Sequence, residues 1–372
     1  MMKKYSLPLS IRGLKSGYTF LGLPKMAGFL SLFWSVFLFI TLMFTTCIDP
    51  VDFDTTAPGN TLVVEGQFTT GESGNYVYLS RVTEFGKTFR QPVIGATVRV
   101  VNEAGNPVTF IESGPGFYSL TDPAISKGIT GQQYHLEVTL QDGEKYKTTP
   151  ETMPPFVPMD SIQMEVSKLS NGKIEIFVST TFPDFPVWLK YKVQENYAFE
   201  EIRCALDIPP KTCYFVLPAL YPFYIATNDN NSASRLDHFK IGTKTRLTTP
   251  EFSRGRHYFS VDQYSSTEKA YIYFAKLNKL LSLNGSVFDA PPAPIPGNLY
   301  NENDSNETTL GYFELAAVDT LRTFAYPSLI RQHIYLPDFC DPQSYYTYYI
   351  PVECCDCLTF PGATLTKPNW WQ

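Results

Sequence analysis

Seven cysteines and four histidines are the side chains in this sequence best suited to covalent, redox or metal chemistry, and their spacing decides which. Cys47 stands where a long apolar run stops, in Phe44-Thr45-Thr46-Cys47. A cysteine at such a junction resembles a lipobox, in which a diacylglyceryl thioether forms on the thiol before the leader is removed. The other six, Cys204, Cys213, Cys340, Cys354, Cys355 and Cys357, form an even set, which in an exported chain suits disulfides. Cys204 and Cys213 bracket Pro209 and Pro210 and read as a local loop staple, while the other four read as a tight cluster near the C-terminal end. Zinc is the alternative for that cluster, but it favours two cysteine pairs at separated positions. A redox Cys-x-x-Cys needs a helix N-terminus in a βαβ setting to lower the thiol pKa, and a proline-flanked tail in a strand-rich chain offers none.

The histidines, His135, His238, His257 and His333, are scattered, and no two share a helix face with a glutamate. His135 lies in a strand pattern and reads as a structural residue. No Gly-x-Ser-x-Gly, phosphate loop or dinucleotide fingerprint occurs. The stretch from Asn301 to Glu307 is rich in calcium-type oxygens but lacks the glycine and spacing of a calcium loop, so it reads as a solvated hairpin tip. Carboxylates are plentiful, and none is singled out by spacing. No catalytic residue, metal ligand or cofactor site follows from these types, and the expectation is a protein that is not an enzyme. A hydrolase with unrecognised carboxylates is one rival.

The segment before Cys47 is an address. Lys3, Lys4, Arg12, Lys15 and Lys25 lead into Met26 to Thr46, which carries no charge, and no acid occurs before Asp49. Residues 1–46 therefore read as a signal peptide, with an uncleaved membrane anchor as the alternative, since about 20 apolar residues also span a bilayer. Its removal takes five bases and no acid, leaving 25 bases against 36 acids and a net charge of −11. That balance argues against nucleic acid, whose binders displace counterions with a basic face. It equally argues against docking on anionic headgroups, so contact with the membrane would rest on the N-terminal lipid.

The elements that must position any site are strands. With 24 Tyr, 28 Phe and 29 Pro, the composition favours strands and turns over long helices. After an acidic tether over 47–60, residues 61–152 show short alternating runs, such as Leu62 to Phe68, Thr97 to Val101 and Tyr134 to Leu140, separated by turn signals. This spacing predicts an immunoglobulin-like β-sandwich. Residues 153–158, Met-Pro-Pro-Phe-Val-Pro, form a stiff linker. A larger β-rich domain, 159–372, follows, with Ile174, Ile176 and Val178 sharing one face. One helix is expected, over about 266–283, capped by Ser265-Ser266-Thr267-Glu268 and striped by Ala270, Phe274, Leu277 and Leu281. Two aromatic, proline-bearing segments hold Tyr221 and Phe223, and Tyr346 and Tyr348. These four are candidate partner-binding aromatics, with core packing as the alternative.

Several short motifs in order resemble one family. They are Val63-Val-Glu-Gly66, Gly95-Ala-x-Val98, Ser265-Ser-Thr-Glu268, Gly297-Asn298 followed by Leu310-Gly-Tyr-Phe313, Cys354-x-Asp-Cys357 and a terminal Lys367-Pro-x-x-Trp. Together they are similar to the domain of unknown function 4249, found in Bacteroidota lipoproteins often encoded near TonB-dependent outer-membrane transporters. Cys355 departs from the pattern by placing an extra thiol inside the Cys-x-Asp-Cys pair. The three acids after Cys47 resemble surface-export signals of such lipoproteins, or else form a solvated linker. The resemblance implies a lipid-anchored outer-membrane protein, exposed at the cell surface if those acids act as an export signal, that serves as an accessory or ligand-binding partner of a TonB-dependent transporter. It implies no activity, catalytic residue or ligand. A structural or adhesive surface protein is the alternative.

Overall fold

Alternation in the first strand sets the architecture. In β1 (Leu62–Thr69), Leu62, Val64 and Phe68 point inward and are fully buried. The Phe68 ring meets Phe110 edge-on at 6.4 Å and Tyr134 at 5.3 Å, on strands that are not its ladder neighbours. The sheet must therefore fold over upon itself to close one core. The structure, a computed structural model, describes residues 61–82, 90–120, 122, 126–167, 173–219, 223–229, 233–245, 255–282, 294–325, 328, 340–341 and 350–371. The signal segment, Cys47, the tether, His333, Tyr221, Tyr346 and Tyr348 lie outside the described residues.

The first half continues with β2 (Tyr76–Arg81), β3 (Gln91–Pro92), β4 (Thr97–Asn102), β5 (Pro107–Gly114), β6 (Phe117–Leu120), β7 (Gln133–Thr139), β8 (Lys145–Thr148) and β9 (Glu151–Thr152). The second half supplies β10 (Ser161–Ser167), β11 (Lys173–Thr181), β12 (Trp188–Glu200), β13 (Thr212–Ala219), β14 (Tyr224–Thr227), β15 (Arg235–Thr245) and β16 (Arg256–Ser266). Then come helix α1 (Glu268–Leu281), β17 (Leu299–Asn301) and β18 (Leu310–Ala325). The fold is mainly β, with α1 the one α-helix among the described residues. The large sheet runs β13-β12-β16-β18-β1-β2-β6-β5-β4-β7-β8-β17, and β10-β11-β15 form a second, smaller sheet.

The proline run 153–158 lies between β9 and β10, yet β17 and β18 return to the ladder of the first half. β18 is the shared strand. Its beginning runs parallel to β1, from Val63 opposite Leu310 to Thr69 opposite Ala316, and its remainder runs antiparallel to β16 as far as His257 opposite Ala325. Accordingly Phe313 and Leu315 belong to the first core, whereas Leu321 and Ala325 belong to the second. That second core is the space between the two sheets. Ile174, Ile176 and Val178 of β11 fill it from one side, and Leu189, Tyr191 and Val193 of β12 with Phe259 and Val261 of β16 from the other. Along β12 the alternate residues Trp188, Lys190 and Lys192 face the opposite way, toward α1, which packs on β12, β14 and β18.

The cysteines correct one expectation. Cys204 and Cys213 do not bond to each other: Cys204 bonds Cys355, Cys213 bonds Cys357, and Cys340 bonds Cys354. The pairing of Glu200 with Thr212 places Cys213 one step inside the ladder, opposite Phe199 and fully buried. Cys204 lies beyond the end of β12 in the exposed connection, so the two thiols sit at different levels. The turn over 352–359 carries a partner for each, and the zinc alternative for the tail falls with them. Farther along, Thr364 exchanges backbone hydrogen bonds with Tyr214, and the fully buried Trp371 packs at 4.0 Å from Tyr258.

Candidate functional site

A cleft of about 560 Å³ opens between α1 and the face of β12, β18 and β1, a volume within the range that holds small organic ligands. Its roof follows from the helix sequence. Thr267 caps the N-terminus by accepting the Ala270 N–H at 3.3 Å, Glu268 sits in the positive first turn and Lys279 in the negative last turn. Ala270, fully buried, lets the helix approach the sheet closely. Tyr273, Phe274, Leu277 and Leu281 then project over the cleft. Tyr273 lies 4.8 Å from Tyr312 of β18, and Phe274 meets Phe223 edge-on at 5.1 Å. Phe223, one of the aromatics expected at a docking surface, is thus half-buried against the helix. Asn278 holds it there by donating to its carbonyl at 3.0 Å.

The floor is ionic. Lys190 of β12 pairs with Glu314 of β18, both almost wholly buried, and Ser266 Oγ donates to the other Glu314 oxygen at 2.5 Å. The Lys190 ammonium also stands 4.0 Å from the Phe274 ring centroid and 4.9 Å from that of Tyr264. Burial pushes the Lys190 pKa down, against the opposing pull of Glu314. Gln67 donates to the Gly74 carbonyl at 2.7 Å and to the Tyr264 hydroxyl at 3.4 Å, and burial pushes that hydroxyl well up. At the mouth Arg90 pairs with Glu65. Burial likewise raises the Tyr273 and Tyr312 hydroxyls, so both remain protonated donors at neutral pH. Chemically this is a cleft with aromatic walls, an engaged ion pair beneath and hydrogen-bond donors around it.

Two neighbouring features differ in kind. A second cavity of about 440 Å³ lies at the N-terminus of α1, between Trp188 and the prolines at 150, 154 and 155. Between the sheets, His257 Nδ1 lies 2.9 Å from Glu195 and Lys244 Nζ 2.5 Å from the other Glu195 oxygen, with Tyr197 stacked on the imidazole. Glu195 and His257 are fully buried, so this cluster ties β15 to the large sheet. His135 is half-buried beside Glu137 at 3.2 Å, and Glu307 is held by Asn301 at 2.6 Å and by the Tyr146 hydroxyl at 3.0 Å. Among the described residues no group of three or more His, Cys, Asp or Glu is arranged to hold a metal ion. The six disulfide cysteines gather at the far end of β12 and β13, away from the cleft.

Sequence reasoning passed over Lys190 and Glu314 because each looked like an ordinary strand residue. A signal was present: each is a charge inside an apolar run, Val187 to Val193 and Leu310 to Ala317. A buried charge in such a run requires a partner.

The model of a family described as domain of unknown function (DUF4249) matches residues 48–322. No curated protein matches the chain. Among solved structures, a Salmonella alpha-2-macroglobulin mutant is similar at 12% identity with a TM-score of 0.18, over 75% of this chain and 16% of that one. A DUF4785 family protein from Legionella pneumophila is similar at 9% identity with a TM-score of 0.15, over 54% of this chain and 51% of that one. The chain thus spans less than two thirds of either.

Proposed function

This chain belongs to the domain of unknown function 4249 family, and from that premise we propose a non-enzymatic, ligand-binding lipoprotein of the outer membrane, working beside a TonB-dependent transporter. The observation that carries the binding part is the cleft under α1, concave, aromatic-walled and ringed by a few polar groups, as small-molecule sites are. Its ionisable floor groups are engaged with one another: Lys190 with Glu314, and Glu314 with Ser266. That arrangement favours holding a molecule over transforming one. Attachment to the membrane rests on the uncharged segment ending at Cys47 and on the acidic balance of the residues beyond it.

The experiment is purification of the acylated protein from detergent-solubilised membranes, followed by mass spectrometry of its protein and small-molecule content. The expected result is a TonB-dependent transporter in near-equal amount, together with a small molecule released on denaturation and lost from a Tyr273→Ala, Tyr312→Ala variant. Absence of both transporter and molecule from the wild-type preparation refutes the reading.

A further inference from the structure

The second cavity, at the N-terminus of α1, shares no lining residue with the cleft, and its volume of about 440 Å³ lies within the range of small-ligand sites. Its apolar walls are the half-buried Trp188 ring and the prolines at 150, 154 and 155. Several polar groups that line it are left open by the chain. Ser265, near the end of β16, is 2% exposed, and its hydroxyl has no hydrogen-bond partner. An unpaired buried hydroxyl destabilises the fold, so a partner for it is to be sought in what enters the cavity. Glu151 accepts the Tyr312 hydroxyl on one oxygen at 3.4 Å, and its other oxygen has no partner among the described residues. At the helix end Thr267 takes the Ala270 N–H, while the N–H groups of Glu268 and Lys269 have no partner among the described residues. The lining charges nearly cancel: Glu151 and Glu268 face Lys269, and the positive end of α1 offsets about half of the remaining charge. An ionic head group finds no clear counter-charge here. Groups that both donate and accept match Ser265, Glu151 and the open N–H groups together.

We propose that this cavity binds a neutral sugar ring, its C–H face on Trp188 and its hydroxyls on Ser265, Glu151 and the first turn of α1. A pyranose combines an apolar face of C–H groups, which packs on an indole, with a rim of hydroxyls that each donate and accept. An apolar molecule of the same size would leave the Ser265 hydroxyl and the helix N–H groups unpaired. The site does not depend on the reading of the cleft.

Saturation-transfer NMR and calorimetry test it on the full chain, held in a detergent without a sugar head group. The probes are the methyl glycosides of glucose, galactose, mannose and N-acetylglucosamine, with choline and benzoate as the cationic and anionic alternatives. At least one glycoside is expected to bind with a millimolar or smaller Kd, and more tightly than choline or benzoate. Trp188→Ala should weaken that glycoside at least about tenfold, the scale of one stacked ring, and Trp188→Phe should recover part of the loss and control for folding. Ser265→Ala should weaken it as well, yet leave the urea midpoint level or raised, because its hydroxyl has no bond to lose in the free protein. Tyr273→Ala, in the cleft, should leave it unchanged. No glycoside bound at tens of millimolar, or choline or benzoate bound more tightly, overturns the proposal. So does glycoside binding that survives Trp188→Ala or Ser265→Ala, or binding lost with Tyr273→Ala instead, which moves the sugar to the cleft.

Discussion

The two long-range disulfides should be worth more together than the sum of their separate removals, and the sequence separations give the size of the effect. Cys204–Cys355 spans 151 residues and Cys213–Cys357 spans 144. In the chain-entropy model, closing a loop of that length in the unfolded chain contributes about 5 kcal/mol. Once either bridge exists, however, the other closes only a short circuit: nine residues from Cys204 to Cys213 and two from Cys355 to Cys357. A circuit of about 11 residues contributes only about 3 kcal/mol. Replacing one bridge by an alanine pair therefore loses the short term, about 3 kcal/mol, whereas replacing both loses about 8 kcal/mol. The coupling is about 2 kcal/mol, with the double variant worse than additive. Packing lost at Cys213 and Cys357, which are fully buried, appears in one arm of the cycle and cancels in the coupling. Urea unfolding of the wild type, both bridge variants and the double variant, in a stabilising osmolyte to keep the last one folded, measures it. A coupling within about 0.5 kcal/mol of zero refutes the shared-circuit reasoning.

Three further outcomes are expected. Lys190→Met leaves Glu314 as an uncompensated buried charge and should cost about 3–5 kcal/mol, and adding Glu314→Leu should restore at least half of it; urea midpoints that fall further in the double variant contradict this. The Glu195 carboxyl is pushed up by burial, but His257 and Lys244 outweigh that and hold it below its ordinary value. Its folded pKa being depressed, it contributes stability that is fully present above the unfolded value of about 4.3 and is lost as pH falls through the folded one. Glu195→Gln should therefore flatten the stability profile below about pH 4, and an unchanged acid slope would count against the cluster. Cys47→Ala should leave an unprocessed precursor with no acyl label, and labelling equal to that of the wild type excludes the lipobox.

Period and capping carried the legible part of the fold. Ile174, Ile176 and Val178 alternate in sequence and are buried together, and the Ser-Ser-Thr-Glu signal put the helix within two residues of Glu268–Leu281. The illegible part depends on pairings with no local trace. β1 and β18 are parallel neighbours from opposite ends of the described chain, and Lys190 and Glu314 meet across a separation of 124 residues. The cysteines show the same limit. Proximity in sequence suggested Cys204 with Cys213, but loop-closure entropy grows only logarithmically, so long-range partners lose little to near ones and geometry decides.

The motifs that resembled a family become interpretable once they are placed, because several of them meet on β18. Gly311 has φ +81°, and a Cβ there would lie 1.9 Å from the Val64 carbonyl oxygen, so only glycine lets β18 run beside Val63-Val-Glu-Gly66. Asn298 donates to the Phe313 carbonyl at 2.7 Å and accepts its N–H at 2.9 Å, which fixes the start of the strand. From there alternation divides the residues: Phe313 and Leu315 enter the first core, and Tyr312 and Glu314 enter the cleft. Glu65 reaches Arg90 at the cleft mouth, Ser266 reaches Glu314 on its floor, and Thr267 caps the helix above it. Four stretches that are weak signals singly thus build one roof, one floor and one rim. The strand that joins the two cores is also the strand that lines the cleft. A one-residue slip of β18 would exchange Glu314 with its apolar neighbours and destroy both, so the core that fixes the register also fixes the site.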